Sequence, residues 1–361
     1  MSKYWTLEDT LAIYNKPLMA LIFEAAQTHR LNHNPLEVQI STLLSIKTGG
    51  CPEDCGYCPQ AARYHTDIET NDLMSVSQVK AQALRAKANG SSRLCMGAAW
   101  RNIQNNQEFD QVLEMVRTVN ELEMEVCCTL GMMTQEQAQR LANAGLYAYN
   151  HNLDTSEEHY KDIISTREYE DRIKTIDNAS KAGISVCSGG IVGMGESAED
   201  RCQMLVTLAN MNPQPKSVPI NALVAVEGTP LEDQETVPIW DMVRMVATAR
   251  IVMPKAVVRL SAGRTEMSDE GQALCFMAGA SSIFAGDKLL TTPNPDINND
   301  MKLFDTLGLS AKQPFVDGEQ PVVNESYKKC LSTNGNVKWN RPTHKIKRNE
   351  LAKKKTKLSR T

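Results

Sequence analysis

The chain has 361 residues, of which 42% are hydrophobic and 23% are charged, and its formal net charge is −4. This composition is typical of a globular protein with one large domain or two smaller ones, and excludes a fibrous or wholly disordered chain. No apolar run approaches the roughly 18 residues that a membrane helix requires. Residues 1–9 include acids and lack an apolar signal core, so we expect a cytoplasmic protein with no membrane association.

Charge is distributed unevenly along the chain. Residues 341–361 contain nine Lys and Arg and one acid, Glu350, which leaves 30 basic and 42 acidic residues, a net charge of −12, for the remainder. We expect this basic tail to be disordered. Contact with an anionic surface is the alternative, and no specific nucleic-acid partner is predicted.

The predicted elements alternate short β-rich runs with longer amphipathic segments. Residues 1–37 are expected to form an N-terminal helical extension, with Thr6 near the start of its first helix. Strands are predicted at residues 38–47, 92–99, 125–131, 148–153, 184–192, 217–224, 256–262 and 282–286. Helices are predicted between them, for example at residues 75–88, 135–144, 169–182 and 238–252. Pro238 would occupy the first position of the last of these helices.

Eight strands that alternate with helices predict an α/β fold, a (β/α)8 barrel of TIM type over residues 38–315. Residues 316–361 would then be a C-terminal extension that includes the basic tail. An open, doubly wound sheet is the alternative architecture. In a barrel the active site lies at the carboxyl ends of the strands, so residues that directly follow a strand are candidates for function.

Three cysteines, Cys51, Cys55 and Cys58, follow the first predicted strand with the spacing C-x3-C-x2-C. Ten cysteines in a chain of this length are too few for a disulfide scaffold, so close spacing indicates a metal or an iron–sulfur cluster. Three thiolates are one fewer than a closed four-cysteine site needs. A cluster held here would keep one iron open to another ligand. A zinc site completed by a distant residue is the alternative.

Side chains alternate along a strand, which separates residues facing the barrel lumen from residues facing the helices. On this basis we expect Cys127, and not Cys128, to face the lumen, because Val126, Cys128 and Leu130 form the apolar set. The other predicted lumen residues are Arg93, Cys95, Gly97, Glu125, Thr129, Asn150, Asn152, Asp154, Cys187, Gly189, Ile191, Pro219, Asn221, Arg259, Ser261 and Gly263. So many polar groups in one lumen suggest bound ligands, and three thiols with Arg259 could surround a second, smaller cluster.

The remaining candidates have simpler interpretations. Cys128, Cys202, Cys275 and Cys330 are expected to be structural thiols. The glycine-rich turn that contains Gly193 is interpreted as a close-approach turn for a ligand, not as a phosphate loop. The asparagines at strand ends could alternatively serve only to satisfy loop backbone.

The three-cysteine motif, with Tyr57 before its last cysteine, resembles the radical S-adenosylmethionine superfamily. The wider sequence, over roughly residues 5–315, is most similar to the biotin synthase family within it. The stretches that carry this resemblance lie at residues 41–49, 58–64, 95–100, 149–155, 187–196, 218–221, 259–264 and 289–295. The adjacent Cys127 and Cys128 depart from the family's usual single cysteine, and the basic tail has no counterpart in the pattern.

The resemblance implies a sulfurtransferase that inserts one sulfur into dethiobiotin to form biotin. It implies that Cys51, Cys55 and Cys58 hold a 4Fe-4S cluster that binds S-adenosylmethionine, and that Cys95, Cys127, Cys187 and Arg259 hold a 2Fe-2S cluster, the sulfur source. Contacts to S-adenosylmethionine are implied for Tyr57, Asn152, Asp154, Arg172 and Gly193, and contacts to dethiobiotin for Asn150, Asn152 and Asn221. A homodimer and an electron donor such as flavodoxin or ferredoxin are implied as well.

Chemistry agrees with this expectation, because no side-chain base can ionise an unactivated C–H bond, and a cofactor-derived radical is needed. The alternatives are another radical enzyme on the same barrel, of mutase or cluster-maturation type, or a non-catalytic iron–sulfur or zinc protein.

Overall fold

The structure is a computed structural model that describes residues 3–286 and 288–328. The prediction of a disordered basic tail and the interpretation of Cys330 as a structural thiol lie outside these residues. Among the helices in the described ranges, none is long and apolar enough to cross a membrane.

The strands form a closed parallel barrel. β1 pairs with β2 on one side and with β9 on the other, so the alternative of an open sheet is wrong and the barrel prediction is confirmed. The short β10 adds only an outer pair to the start of β1. The strands are β1 (Glu37–Lys47), β2 (Arg93–Ala98), β3 (Glu125–Thr129), β4 (Ala148–Asn150), β5 (Ser185–Cys187), β6 (Gly190–Val192), β7 (Ser217–Ala222), β8 (Val257–Leu260), β9 (Ala280–Ala285) and β10 (Ser310–Ala311).

The helices surround the barrel, and two of them precede β1, in the stretch where an N-terminal helical extension is predicted. They are α1 (Leu7–Tyr14), α2 (Leu18–Asn32), α3 (Val76–Ala88), α4 (Gln107–Asn120), α5 (Gln135–Asn143), α6 (Glu157–Ile163), α7 (Tyr169–Lys181), α8 (Ala198–Ala209), α9 (Ile239–Val252), α10 (Asp269–Met277) and α11 (Ile297–Leu307). Thr6 caps α1 by accepting a hydrogen bond from the Asp9 amide. Pro238 is the N-cap of α9 and not its first helical residue, because its ψ of 135° is extended.

The fifth position of the barrel is interrupted. Residues 184–192 were expected to form one strand, but β5 and β6 are separated by Ser188 and Gly189, and both pair with β7. A Cβ at Gly189 would lie 2.0 Å from the Pro219 carbonyl oxygen, so the two backbones approach more closely than a side chain allows. The interruption directly follows Cys187, the last residue of β5.

The two faces of the strands pack in separate layers, as alternation predicts. Cys128, Val126 and Leu130 belong to the large core between barrel and helices. Cys127 packs instead with Cys95 inside the barrel. The lumen is therefore a polar, thiol-bearing space that is separate from the main apolar core.

Candidate active site

The three-cysteine loop follows β1 at the carboxyl end of the barrel and is fixed by its own backbone. The Cys51 amide donates to the Gln60 carbonyl at 3.0 Å, and the Cys58 amide donates to the Cys55 carbonyl at 2.9 Å. Gly49 has a φ of +73°, and a Cβ there would lie 2.8 Å from Thr70 Oγ1. The loop can therefore turn back over the barrel mouth only with glycine at this position.

An acidic residue of the loop ties it to the segment after α6. Asp54 accepts hydrogen bonds from the amides of Ser165 and Thr166 at 2.9 and 3.2 Å. The next residue, Arg167, places Nη2 3.8 Å from Cys55 Sγ. A guanidinium thus stands beside the cysteine loop, where it can stabilise negative charge that gathers on sulfur.

The three thiols are held in surroundings that favour their protonated form. Burial raises the pKa of Cys51 to about 12 and also raises the pKa values of Cys55 and Cys58. A thiolate in this loop therefore needs a bound cation, and loading iron must displace the protons.

A buried ion pair lies directly under the loop. The Arg172 Nη2 atom donates to Asp154 Oδ2, and both residues are almost fully buried. The Tyr57 hydroxyl donates to the same oxygen at 2.6 Å. Arg172 also donates to the Asn152 carbonyl and, over 3.0 Å, to the Tyr160 hydroxyl. Three of the residues expected to contact S-adenosylmethionine, Tyr57, Asp154 and Arg172, are therefore in one network.

The asparagines at the strand ends are partly engaged by the protein itself. Asn150 Nδ2 donates to Thr129 Oγ1 at 3.1 Å, and Asn152 Oδ1 accepts from the Gly189 amide at 3.2 Å. Asn221 Nδ2 donates to the Gly190 carbonyl at 2.9 Å, and its Oδ1 accepts from the Ala262 amide at 3.2 Å. Asn221 therefore stabilises the ends of its neighbouring strands, as the alternative interpretation states.

Cys95 and Cys127 face each other across the pairing of β2 with β3. A hydrogen bond from Cys127, with Arg259 and Arg93 nearby, lowers the pKa of Cys95 to about 7. That hydrogen bond and burial raise the pKa of Cys127. Cys187, at the end of β5, is fully buried in the next part of the wall. The pKa values of these paired thiols thus shift in opposite directions, so Cys95 loses its proton more readily than Cys127.

Arg259 reaches the lumen from β8 and is positioned by β1 and β9. Its Nε donates to Ser282 Oγ at 2.9 Å, and its Nη2 donates to Gln39 Oε1 and Ser41 Oγ, both at 3.2 Å. The guanidinium carbon lies 4.6 Å from the centre of the Phe284 ring. A buried cation fixed from several sides beside the lumen thiols suits an anionic ligand.

The three loop cysteines and one of the lumen cysteines, Cys95, border one cavity of about 280 Å³. Its lining includes Cys51, Cys55, Cys58, Tyr57, Asn150, Asn152, Asp154, Arg172, Cys95, Asn221 and Arg259. Cys127, the β3 partner of Cys95, is not among the lining residues. Cys187 borders a second cavity, at the amino end of the barrel. The structure therefore brings most of the predicted site residues to a single space inside the barrel mouth.

Gly193 is not among the residues that line this cavity. Its φ is +101°, and a Cβ there would lie 2.4 Å from Val237 Cγ2. The Gly193 amide donates to Glu196 Oε1 at 2.8 Å, so a carboxylate of the protein occupies the turn. The turn is thus not shaped as a phosphate loop, and a role of Gly193 toward S-adenosylmethionine stays a prediction.

Several residues of the site are not predicted by the sequence analysis. Arg167 lies in a stretch without periodicity, and nothing in the sequence connects it with Cys55, which lies 112 positions earlier. Gln39, Ser41 and Ser282, which hold Arg259, could have been found by extending the alternation argument to β1 and β9. These residues orient the thiols and the arginine.

The donor set fits iron–sulfur clusters. In the described part of the chain, no group of three His, Cys, Asp or Glu side chains is arranged to hold a single metal ion. The nine described cysteines are free thiols. Three soft sulfur ligands on one cavity suit a cluster with an open iron, and three further thiols beside a fixed arginine suit a smaller one.

Comparison with known proteins agrees with this chemistry. Residues 45–208 match the Radical SAM superfamily, and residues 219–310 match the Biotin and Thiamin Synthesis associated domain. A closed barrel with a three-cysteine loop after its first strand, together with the first match, defines a radical S-adenosylmethionine enzyme.

Two relatives define the family further. The chain is 69% identical over 355 residues to the biotin synthase of Flavobacterium johnsoniae, with 98% of each chain covered. It is 57% identical over 311 residues to the mitochondrial biotin synthase of Arabidopsis thaliana, covering 86% of this chain and 82% of the relative. The chain belongs to the biotin synthase family.

Solved structures with similar folds are more distant in sequence. A methylornithine synthase matches with a TM-score of 0.73 at 17% identity, covering 86% of this chain and 95% of that one. An FeFe-hydrogenase maturase from Carboxydothermus hydrogenoformans matches with a TM-score of 0.72 at 14% identity, covering 86% and 76%. At these identities the similarity supports the barrel fold alone.

Proposed function

We propose that this member of the biotin synthase family converts dethiobiotin to biotin by inserting one sulfur atom between two unactivated carbons. S-adenosylmethionine is the co-substrate. The observation that carries the proposal is the single cavity bordered by Cys51, Cys55 and Cys58 on one side and by Cys95 and Arg259 on the other. A radical generated at the mouth and a sulfur atom held deeper in the lumen would meet across that space.

Two groups are assigned to these residues. Cys51, Cys55 and Cys58 would hold a 4Fe-4S cluster, and Cys95, Cys127, Cys187 and Arg259 would hold a 2Fe-2S cluster. When bound, the first supplies the electron that cleaves the sulfonium bond of S-adenosylmethionine, and the second supplies the sulfur atom.

The protein's own part is to position the substrates and exclude water. The barrel wall encloses the cavity, which protects a reactive radical from solvent and fixes its distance from the substrate. The amide nitrogen of Asn150 donates a hydrogen bond to Thr129. We therefore assign Asn150 Oδ1 as the acceptor for an N–H of the dethiobiotin ureido ring. We assign Asn152 Nδ2 and the Asp154 carboxylate to the polar groups of the S-adenosylmethionine nucleoside.

Arg167 and Arg172 contribute positive charge close to the three-cysteine loop. Arg167 donates to Cys55 Sγ, and Arg172 compensates Asp154. We propose that these guanidinium groups hold the loop thiolates and the carboxylate of S-adenosylmethionine in a water-poor space. The same proposal keeps Gly193 as a residue of the turn expected to lie against S-adenosylmethionine.

The remaining parts of the proposal concern the cellular location, the oligomeric state, the electron donor and the domain limits. We propose a cytoplasmic homodimer that receives electrons from a flavodoxin or ferredoxin. The domain limits follow the sequence prediction, with an extension over 1–37, a barrel over 38–315 and a C-terminal extension over 316–361.

The experiment is an anaerobic assay of the reconstituted chain with dethiobiotin, S-adenosylmethionine and a reductant. Methionine, 5′-deoxyadenosine and biotin are expected, together with more iron and sulfide than one 4Fe-4S cluster holds. A single bound zinc without cleavage of S-adenosylmethionine would contradict the proposal. Cleavage without biotin would retain the superfamily chemistry and reject dethiobiotin as the substrate.

A further inference from the structure

A second cavity, of about 560 Å³, opens at the amino end of the barrel, opposite the three-cysteine loop. We call it the basal cavity. The first residues of five strands line it, namely Arg93, Ala148, Ser185, Ser217 and Val257. It is therefore an opening into the barrel from the face that does not carry the active site.

The inner end of the basal cavity reaches the second set of thiols, which are the lumen cysteines Cys95, Cys127 and Cys187. Cys187 lines it directly. Arg93, which also lines it, lies two residues before Cys95 on the same face of β2, and the neighbouring residues of β3 are Glu125 and Cys127. The basal cavity thus ends at the place assigned to the smaller cluster.

Two buried hydrogen-bond donors in the lining have no partner among the described residues. Arg93 Nε and Nη2 both donate to Glu125 Oε2, at 2.8 and 2.6 Å. The third nitrogen, Nη1, is buried and unpaired. The Ser217 Oγ is buried and unpaired as well. Arg93 is 5% exposed and Ser217 is 4% exposed. Unpaired buried donors are costly, and they indicate a ligand that accepts hydrogen bonds.

The mouth of the basal cavity carries positive charge. Lys216 and Lys255 line it and are exposed to solvent. The one carboxylate of the lining, Asp317, pairs with Lys312 Nζ at 2.6 Å. A cleft with cations at its mouth and an arginine at its inner end attracts small anions.

We propose that the basal cavity is the entrance and binding site for a small sulfur anion, hydrosulfide, on its way to the second set of thiols. The inference rests on the proposed function, in which a sulfur atom leaves that place with the product and must be replaced. Arg93 Nη1 and Ser217 Oγ donate hydrogen bonds to the anion beside Cys187. Lys216 and Lys255 attract the anion from solvent. The proposal concerns binding and transit and includes no bond-making step.

The test uses the full chain stripped of iron, with iodoacetate as a small anionic probe and iodoacetamide as its neutral counterpart. Adducts on Cys187 and Cys95 are quantified by mass spectrometry. Dividing the iodoacetate rate by the iodoacetamide rate cancels any difference in thiolate fraction. The variant carries Lys216→Glu and Lys255→Glu. The control is Lys302→Glu, the same charge change at an exposed lysine of α11 that does not line the cavity.

We expect the double variant to lower the Cys187 rate ratio by about tenfold at low ionic strength, with the difference shrinking as salt is added. The ratio for Cys95, which borders the other cavity, should not change, and neither should either ratio in the control. An unchanged Cys187 ratio in the double variant would overturn the proposal.

A second measurement uses hydrosulfide itself. The rate at which the 2Fe-2S absorbance returns after the cluster is depleted should fall in the double variant at limiting sodium hydrosulfide, and should recover at high concentration. Equal rates at all concentrations would contradict the proposal. Alkylation needs no dethiobiotin, so a failure of the unaltered chain to form biotin would reject the proposed function and leave the alkylation result standing.

Discussion

Tyr57, in the three-cysteine loop, donates a hydrogen bond of 2.6 Å to Asp154, which follows β4. Asp154 adopts a φ of +69°, a left-handed conformation that is uncommon outside glycine. Its carboxylate also receives the Arg172 guanidinium. One buried carboxylate therefore connects the loop that would hold the first cluster with the barrel wall and with α7.

Breaking this connection should affect both stability and co-substrate binding. Asp154→Asn is expected to lower the free energy of unfolding by about 3–5 kcal/mol, because Arg172 stays buried without its counter-charge. Tyr57→Phe should cost about 1.5–3 kcal/mol, the range for a hydrogen bond to a charged group, and should weaken S-adenosylmethionine binding. Urea unfolding and equilibrium binding measure the two effects.

Tyr160→Phe is the matched control, since the Tyr160 hydroxyl contacts the same arginine but not the loop. It should lower stability without a comparable loss of S-adenosylmethionine affinity. Equal losses of affinity for Tyr57→Phe and Tyr160→Phe would show that the Tyr57 hydroxyl does not position the loop.

The adjacent cysteines of β3 should differ in their effect on the second cluster. Cys127→Ser is expected to abolish its visible absorbance after reconstitution, because Cys127 faces the lumen beside Cys95. Cys128→Ser should leave the absorbance intact, because Cys128 packs among the helices. Loss of the absorbance in Cys128→Ser alone would mean that the ligand has been assigned one residue away.

This pair also shows what sequence alone could predict. Alternation along a strand was enough to assign Cys127 to the lumen, since it depends only on the local backbone. It could not predict that Gly189 interrupts the fifth strand, because the cause is the approach of Pro219, thirty positions later. The eight-strand barrel was predictable because short connections and alternating elements leave few other topologies.

Contacts between distant segments were not predictable either, because they depend on tertiary packing and not on the local backbone. Tyr57, Asp154 and Arg172 were each expected near S-adenosylmethionine from the resemblance, but their mutual hydrogen bonds depend on tertiary packing. Arg93 and Glu125 were both placed in the lumen, and their ion pair became evident only in the structure. Register between neighbouring strands, which alternation does not determine, brings them together.

Gly193 is expected to be required for packing. Gly193→Ala should lower the free energy of unfolding by more than about 2 kcal/mol, because backbone strain adds to a contact with Val237. Gly183→Ala is the control, since its φ of +77° is similarly left-handed but a Cβ there meets nothing within 4 Å. It should cost only the strain, about 1–2 kcal/mol. Equal losses, measured by urea unfolding, would contradict the packing argument.

The helix α2 should make the fold sensitive to acid. Burial, with Arg250 nearby, lowers the pKa of His29 to about 3. The folded state therefore favours neutral His29, and its stabilising effect is present above the unfolded value of about 6.5 and is lost as the pH falls below it. We expect about 2 kcal/mol from this residue between pH 7 and pH 4, allowing for solvent screening.

His29→Gln should reduce the slope of stability against pH in that window. Unfolding by urea at several pH values gives the slope for the variant and the unaltered chain, and acid-sensitive groups common to both cancel in the difference. Identical slopes would show that His29 stays accessible to protons in the folded state.

The central claim is that one set of thiols serves radical generation and the other serves sulfur insertion, across a shared cavity. The most direct measurement is to quantify 5′-deoxyadenosine and biotin from the same reaction for Cys55→Ala and Cys187→Ala. We predict that Cys55→Ala forms neither product, whereas Cys187→Ala still forms 5′-deoxyadenosine but no biotin. Normal biotin formation by Cys187→Ala would contradict the account.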